Sequence, residues 1–136
     1  MRYIWLGDLV AAEKDLSKAI ELNPDNAEAH DDLGVILAQR GEIESAIKHF
    51  SHTIRIDPNY QKAHHNLAMT LYTCGKNHHA LNAINRALQL RSNAQNSLLL
   101  KAEILQALGE KRQAEMIRSN AEFLPQGNWS EQFSAQ

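Results

Sequence analysis

The sequence has one cysteine, Cys74, so no disulfide can close within the chain, and a reducing compartment such as the cytoplasm is the simplest setting. No apolar run approaches the ~20 residues that a membrane helix needs. Met1 to Leu6 has neither the long apolar core nor the small-residue cleavage site of a signal peptide. A net charge of −2 gives no global attraction to nucleic acid or to a membrane surface. Catalytic signatures are missing as well: there is no Gly-rich phosphate loop, no nucleophile elbow and no HExxH. The adjacent carboxylates Asp31 and Asp32 do not face one site if they lie on a helix. These absences point away from an enzyme and from a bound cofactor.

Metal chemistry is also thinly supported. His49 and His52 lie three apart and can share a helix face. A structural zinc site takes four ligands, and no third or fourth stands at a motif spacing, so no metal site is expected. His78 and His79 read as a pair at a helix start, and Cys74 as an ordinary buried or half-buried thiol near a helix end.

What the chain does have is a period. Glycine recurs every 34 residues, at Gly7, Gly41, Gly75 and Gly109. Ala12, Ala46, Ala80 and Ala114 keep the same step, as do Ala19, Thr53, Ala87 and Ala121. A sustained period of this length is the mark of a repeat architecture. The unit is best seen from Ala27 to Pro58, two helical stretches joined at Arg40-Gly41-Glu42. The period and the breaks predict helices over Leu9–Leu22, Ala27–Arg40, Ile43–Ile56, Gln61–Cys74, Asn77–Leu90, Gln95–Leu108 and Lys111–Phe123. Met1 to Leu6 reads as the remnant of a preceding helix that ends at Gly7.

These residues resemble the tetratricopeptide repeat family, whose ~34-residue helix-turn-helix unit places Trp, Leu-Gly, Tyr, Ala, Phe, Ala and Pro at set positions. The second repeat supplies Leu33-Gly34, Leu37, Ala46, Phe50 and Pro58, with His30 at the Trp place and Thr53 at an Ala place. The third supplies Leu67-Ala68, Leu71, Ala80, Ile84 and Ala87, with His64 at the Trp place and Ser92 for Pro. The fourth fits through Leu98, Ala102, Leu105, Ala114 and Ala121, although Lys101 and Arg118 replace core residues. The first is half present, through Ala12, Leu16, Ala19 and Pro24. The resemblance implies an all-α, right-handed superhelical solenoid of antiparallel helix pairs over 1–124. Its units are a partial repeat at 1–26 and repeats at 27–60, 61–94 and 95–124. Residues 125–136 form a tail or short cap that carries Trp129 and Phe133.

The resemblance also implies a concave face lined by the first helix of each pair. Its stripes are Glu28, Asp31, Asp32, Val35, Ala38 and Gln39, then Lys62, His65, Asn66, Met69, Tyr72 and Thr73, then Asn96, Leu99, Leu100, Glu103, Gln106 and Ala107. Asn66 stands where many members of the family place an Asn that bonds a peptide backbone, and Asp32 and Leu100 interrupt any ladder of such residues. The family's carboxylate clamp is absent, since Asp31, Val35, Asn96 and Leu100 stand at its positions.

Charge is uneven along the solenoid. Residues 61–94 contain no Asp or Glu but hold Lys62, Lys76, Arg86 and Arg91 with four histidines, whereas 27–60 lean acidic. The reading is a non-catalytic adaptor that binds a protein or peptide at Lys62, His65, Asn66, Met69 and Tyr72, flanked by Asp32, Leu99, Leu100 and Glu103. The expected ligand has an acidic residue near an apolar one, attracted by Lys62 and, below its reference pKa of about 6.5, by His65. Neither nucleic acid nor membrane is expected as a partner. Two alternatives stand beside this reading: the substrate-presenting part of a larger enzyme such as a glycosyltransferase, and a self-assembling scaffold. At the N-terminal end, where Leu9, Ala12, Leu16 and Ala19 lack a full partner helix, either self-association or a longer parent chain that supplies the missing helix is expected.

Overall fold

The computed structural model describes residues 6–123, so the tail at 125–136 lies outside the described residues. They form seven helices and no strand: α1 (Leu6–Leu22), α2 (Ala27–Gln39), α3 (Ile43–Ile56), α4 (Gln61–Thr73), α5 (Asn77–Leu90), α6 (Gln95–Ala107) and α7 (Lys111–Ala121). None of them is long and apolar enough to cross a membrane.

The hairpin turns follow directly from glycine. Gly41, Gly75 and Gly109 have φ of 84°, 85° and 90°, a left-handed conformation that a side chain makes costly. Each turn closes with the same two bonds. Glu42, Lys76 and Glu110 donate their backbone N–H to the carbonyls of Leu37, Leu71 and Leu105, and the glycine N–H reaches back to Ala38, Tyr72 or Gln106. This is the Schellman pattern, which satisfies helix-end carbonyls and reverses the chain. Gly7 departs from the expected turn. It lies inside α1, and among the described residues no helix precedes α1 for a turn at Gly7 to close. The joints between hairpins repeat as well: Asn23 and Asp57 each accept the N–H two residues on at 3.1 Å, forming Asx turns around Pro24 and Pro58.

Hairpins α2–α3, α4–α5 and α6–α7 stack in order, with α1 against α2, α3 against α4 and α5 against α6. Contact also runs from α2 to α4 and from α4 to α6, so the first helices of the hairpins adjoin along one face. Three apolar clusters form the core. Leu33, Leu37, Ala46 and Phe50 make the first, Ala68, Leu71, Ile84, Leu100 and Ile104 with alanines the second, and Ala102, Leu105 and Ala114 the third. Leu67 packs against the first and second, and Leu81 against the second and third. The clusters therefore join into one elongated core.

Within a hairpin, side-chain size is matched across the interface. A Cβ at Gly34 would sit 2.6 Å from Phe50 Cε1. Phe50 is fully buried, so its ring must shift to admit a methyl there. One repeat later Ala68 stands in place of Gly34, and Ile84 in place of Phe50, so the smaller partner leaves room for the methyl. Both Ala68 and Ile84 are closed to solvent. Gly34→Ala alone should therefore destabilise the chain by about 1–3 kcal/mol through overpacking. Adding Phe50→Ile should restore part of that loss, because it recreates the 68/84 pair. Urea melts of the two variants test this; a double variant less stable than Gly34→Ala would refute the size match.

Candidate functional site

The face shared by α2, α4 and α6 carries polar ties between neighbouring repeats. Asn66 on α4 donates its amide to both carboxylate oxygens of Asp31 on α2, at 3.1 and 3.3 Å. His65 Nδ1 pairs with the hydroxyl of Ser97 on α6 at 2.9 Å, and Gln61 donates to the same hydroxyl at 3.2 Å. Asp31 and Ser97 are both closed to solvent. Burial pushes the Asp31 carboxyl up from its ordinary range, against the hydrogen bond from Asn66 and the nearby Lys62 charge, with Asp32 and Glu28 adding to the rise. Asp32 is also raised by burial, while Lys62 lowers it and Glu28 raises it.

One turn further along α2 and α4 an open cleft of about 250 Å³ is lined by Val35, Ala38, Gln39, Ile43, Phe50, Asn66, Met69, Thr70 and Thr73. Two of its polar residues are neutralised locally. Thr70 donates its hydroxyl to the Asn66 carbonyl and Thr73 to the Met69 carbonyl, each at 2.8 Å. Hydroxyls turned onto their own helix leave their methyls to the surface, so the cleft is mainly apolar. Met69, 44% exposed, stands at its edge.

The expected site residues separate into groups. Asn66 and Met69 meet in the cleft, joined by Val35 and Ala38. Lys62 is exposed near Asp31 and Asp32, and Tyr72 is half-buried against the second core cluster. Leu99 is half-buried and Glu103 exposed, both on α6 away from the cleft. Leu100 is not an inner-surface residue: it is 3% exposed and packed in the core. It takes the place that Asn66 holds one repeat earlier, at the seam between inner helices, and an apolar chain there turns inward. His65 is not poised as a cation, because burial lowers its pKa. Cys74 is exposed rather than buried, since it caps α4 beyond the last packed turn and its thiol donates only to the Leu71 carbonyl.

Sequence reading placed Asp31 on the surface and gave Ser97 no role. Both answer to side chains in the next or preceding repeat, at separations of 35 and 32 residues. Asp31 and Asn66 occupy neighbouring places in successive units, so a search for polar pairs offset by one period and one residue would have found them.

Family models described as tetratricopeptide repeat match residues 6–69 and 61–93. The chain belongs to the tetratricopeptide repeat family. Solved structures agree on the fold. A crystal structure of MamA superposes with a TM-score of 0.78 at 19% identity, covering 88% of this chain and 74% of that one. MamA MSR-1 gives 0.72 at 21%, covering 85% and 67%. A mutant O-GlcNAc transferase of Thermobaculum terrenum gives 0.70 at 25% identity, covering 73% of this chain but 19% of the transferase. A comparison with curated proteins gives no match.

Against the repeat consensus, the two histidines at the Trp place have a specific reason. His30 Nε2 bonds the Pro24 carbonyl at 3.0 Å, and His64 Nε2 bonds the Pro58 carbonyl at 2.9 Å. A carbonyl only accepts, so each ring carries its proton on Nε2. In His30 this leaves Nδ1 to accept from His49 Nδ1–H at 3.1 Å, while His52 lies against the same ring with centroids 4.1 Å apart. Among the described residues no group of three or more His, Cys, Asp or Glu is placed to hold a metal ion. The three rings instead latch α2 to α3.

Burial and the His30 ring lower the pKa of His49 and His52; His52 adds to the effect at His49, Arg55 adds at His52, and Asp25 opposes there. With folded values below the unfolded value of about 6.5, the unfolded chain takes up these protons first as pH falls. This contribution to stability is thus complete above about 6.5 and is lost below it. The melting temperature should fall between about pH 7 and pH 5, and His49→Gln, which keeps a donor for His30, should flatten that fall. Equal slopes for wild type and variant in scanning calorimetry would contradict the latch.

Proposed function

We propose that this repeat module is a non-catalytic adaptor that holds an extended segment of another protein on its inner face, between α2 and α4. Repeats of this family typically mediate protein–protein interactions, which sets the class. The observation that carries the reading is the open apolar cleft beside Met69, contiguous with polar residues already tied between repeats. A groove of this kind offers apolar surface at little ordering cost, because its walls are rigid helices.

Two observations keep other readings in view. The likeness to a short part of the O-GlcNAc transferase favours a repeat segment that presents substrate within a larger enzyme. Exposure along α1 favours self-association at the N-terminal end: Ala12 and Ala19 are half-buried, whereas Ala46, Ala80, Ala114, Thr53, Ala87 and Ala121 at the matching places are fully buried.

The adaptor reading is tested by panning a random-peptide display library on the full chain and re-testing the enriched clones on Met69→Glu. A carboxylate at the mouth of the cleft should abolish binding of most clones, since an unpaired charge against apolar ligand surface is strongly disfavoured. Enriched clones that bind the variant as well as wild type would place binding elsewhere.

A further inference from the structure

The inner face is electrostatically lopsided next to the cleft. On α2, Asp31 and Asp32, with Glu28 close by, lie near the Lys62 charge on α4. Asp31 is closed to solvent and spends its oxygens on Asn66. Glu28 is exposed and Asp32 half-buried, and among the described residues neither enters a salt bridge. Tyr60, immediately before α4, lies against the same group: burial and then Asp31, Glu28 and Asp32, with Asp57, push its phenol pKa up. Two carboxylates outside any salt bridge among the described residues, beside a half-buried aromatic ring, are a setting that attracts a cation, through charge and through the ring face.

The acidic patch and the apolar cleft are continuous. Val35, which lines the cleft, lies four residues beyond Asp31 and three beyond Asp32 on the same helix. At ~1.5 Å per residue, Asp32 is about 5 Å along the axis from Val35 and about 9 Å from Ala38. An extended peptide advances ~3.3 Å per residue, so two or three residues span that interval. An acidic ligand at Lys62 would compete with Asp31 and Asp32, which already feel its charge, and the Asn66 amide already donates to Asp31.

We infer that the groove takes an extended peptide with an apolar side chain in the α2–α4 cleft and a Lys or Arg about two or three residues away, held by Glu28 and Asp32 beside Tyr60. This rests on the adaptor reading above and names the chemistry of its ligand. The arriving cation compensates the carboxylates that burial and mutual repulsion disfavour. Binding therefore weakens as pH falls into the raised titration range of Asp31 and Asp32, where they take up protons, and it weakens with salt, whose screening length drops from about 10 Å at 0.1 M to about 3 Å at 1 M.

The test uses the clones enriched on the full chain and sensitive to Met69→Glu. They should carry Lys or Arg about two or three residues from a Leu, Ile, Phe or Met. A synthetic peptide from that set should lose about three- to tenfold in affinity on Glu28→Gln with Asp32→Asn, the loss expected of two partly screened ion pairs. A matched peptide with Gln in place of its basic residue should bind wild type and the double variant alike. Cleft-dependent clones with acidic or uncharged flanks would overturn this inference while leaving the adaptor reading intact. Basic clones indifferent to Met69→Glu, or no enrichment at all, would overturn both.

Discussion

No hairpin in this chain can bury its own apolar side chains, and the rest of the structure follows from that. Leu67 belongs to the packing of two core clusters and Leu81 to that of two, so each hairpin is completed by its neighbour. The 34-residue period is the sequence form of this requirement. Small residues must recur where helices touch, glycine where the chain reverses, and a helix break where the next unit begins. Phe50 can be large because Gly34 is absent of side chain, and Ala68 can carry a methyl because Ile84 is smaller. Where the stack has no described neighbour, on α1, the small residues Ala12 and Ala19 are left half-buried.

The inner face obeys a different rule. Its first helices are joined by polar bonds as well as by apolar contact: Asp31 with Asn66 between α2 and α4, Ser97 with His65 and Gln61 between α4 and α6. A carboxylate held in a closed site with its pKa pushed up costs stability. Stability given up beside an open cleft is in keeping with the binding surface proposed above. At the next seam the apolar Leu100 fills the matching place and packs into the core. At this position the two seams differ, an amide that stays at the surface against a leucine that does not.

Much of this was legible in the sequence. The turn glycines, the alanine columns and the helix breaks after Leu22 and Ile56 act locally or at a fixed period, and a single chain displays both. The inner stripe was legible as a helix face. What it would do was not, because the fate of Asp31, His65 and Leu100 depends on side chains 32 or more residues away or on packing between repeats. Gly7 shows the same limit from the other side: a glycine at the right period turns the chain only where a helix ends upon it. The contact of His30 with His49 is likewise invisible to spacing, since it joins two helices through ring geometry.

The central claim is that the Asp31–Asn66 tie sacrifices stability for the surface it supports. Asp31→Asn removes the buried charge and keeps the shape, and two facing amides can still hydrogen-bond to each other. Because the folded pKa of Asp31 is raised, its ionised form disfavours folding at neutral pH. Urea unfolding of the full chain at about pH 7 should show Asp31→Asn as stable as wild type or more so. A variant clearly less stable than wild type would mean that the ionised carboxylate holds the fold together, and that the inner face is built for stability alone.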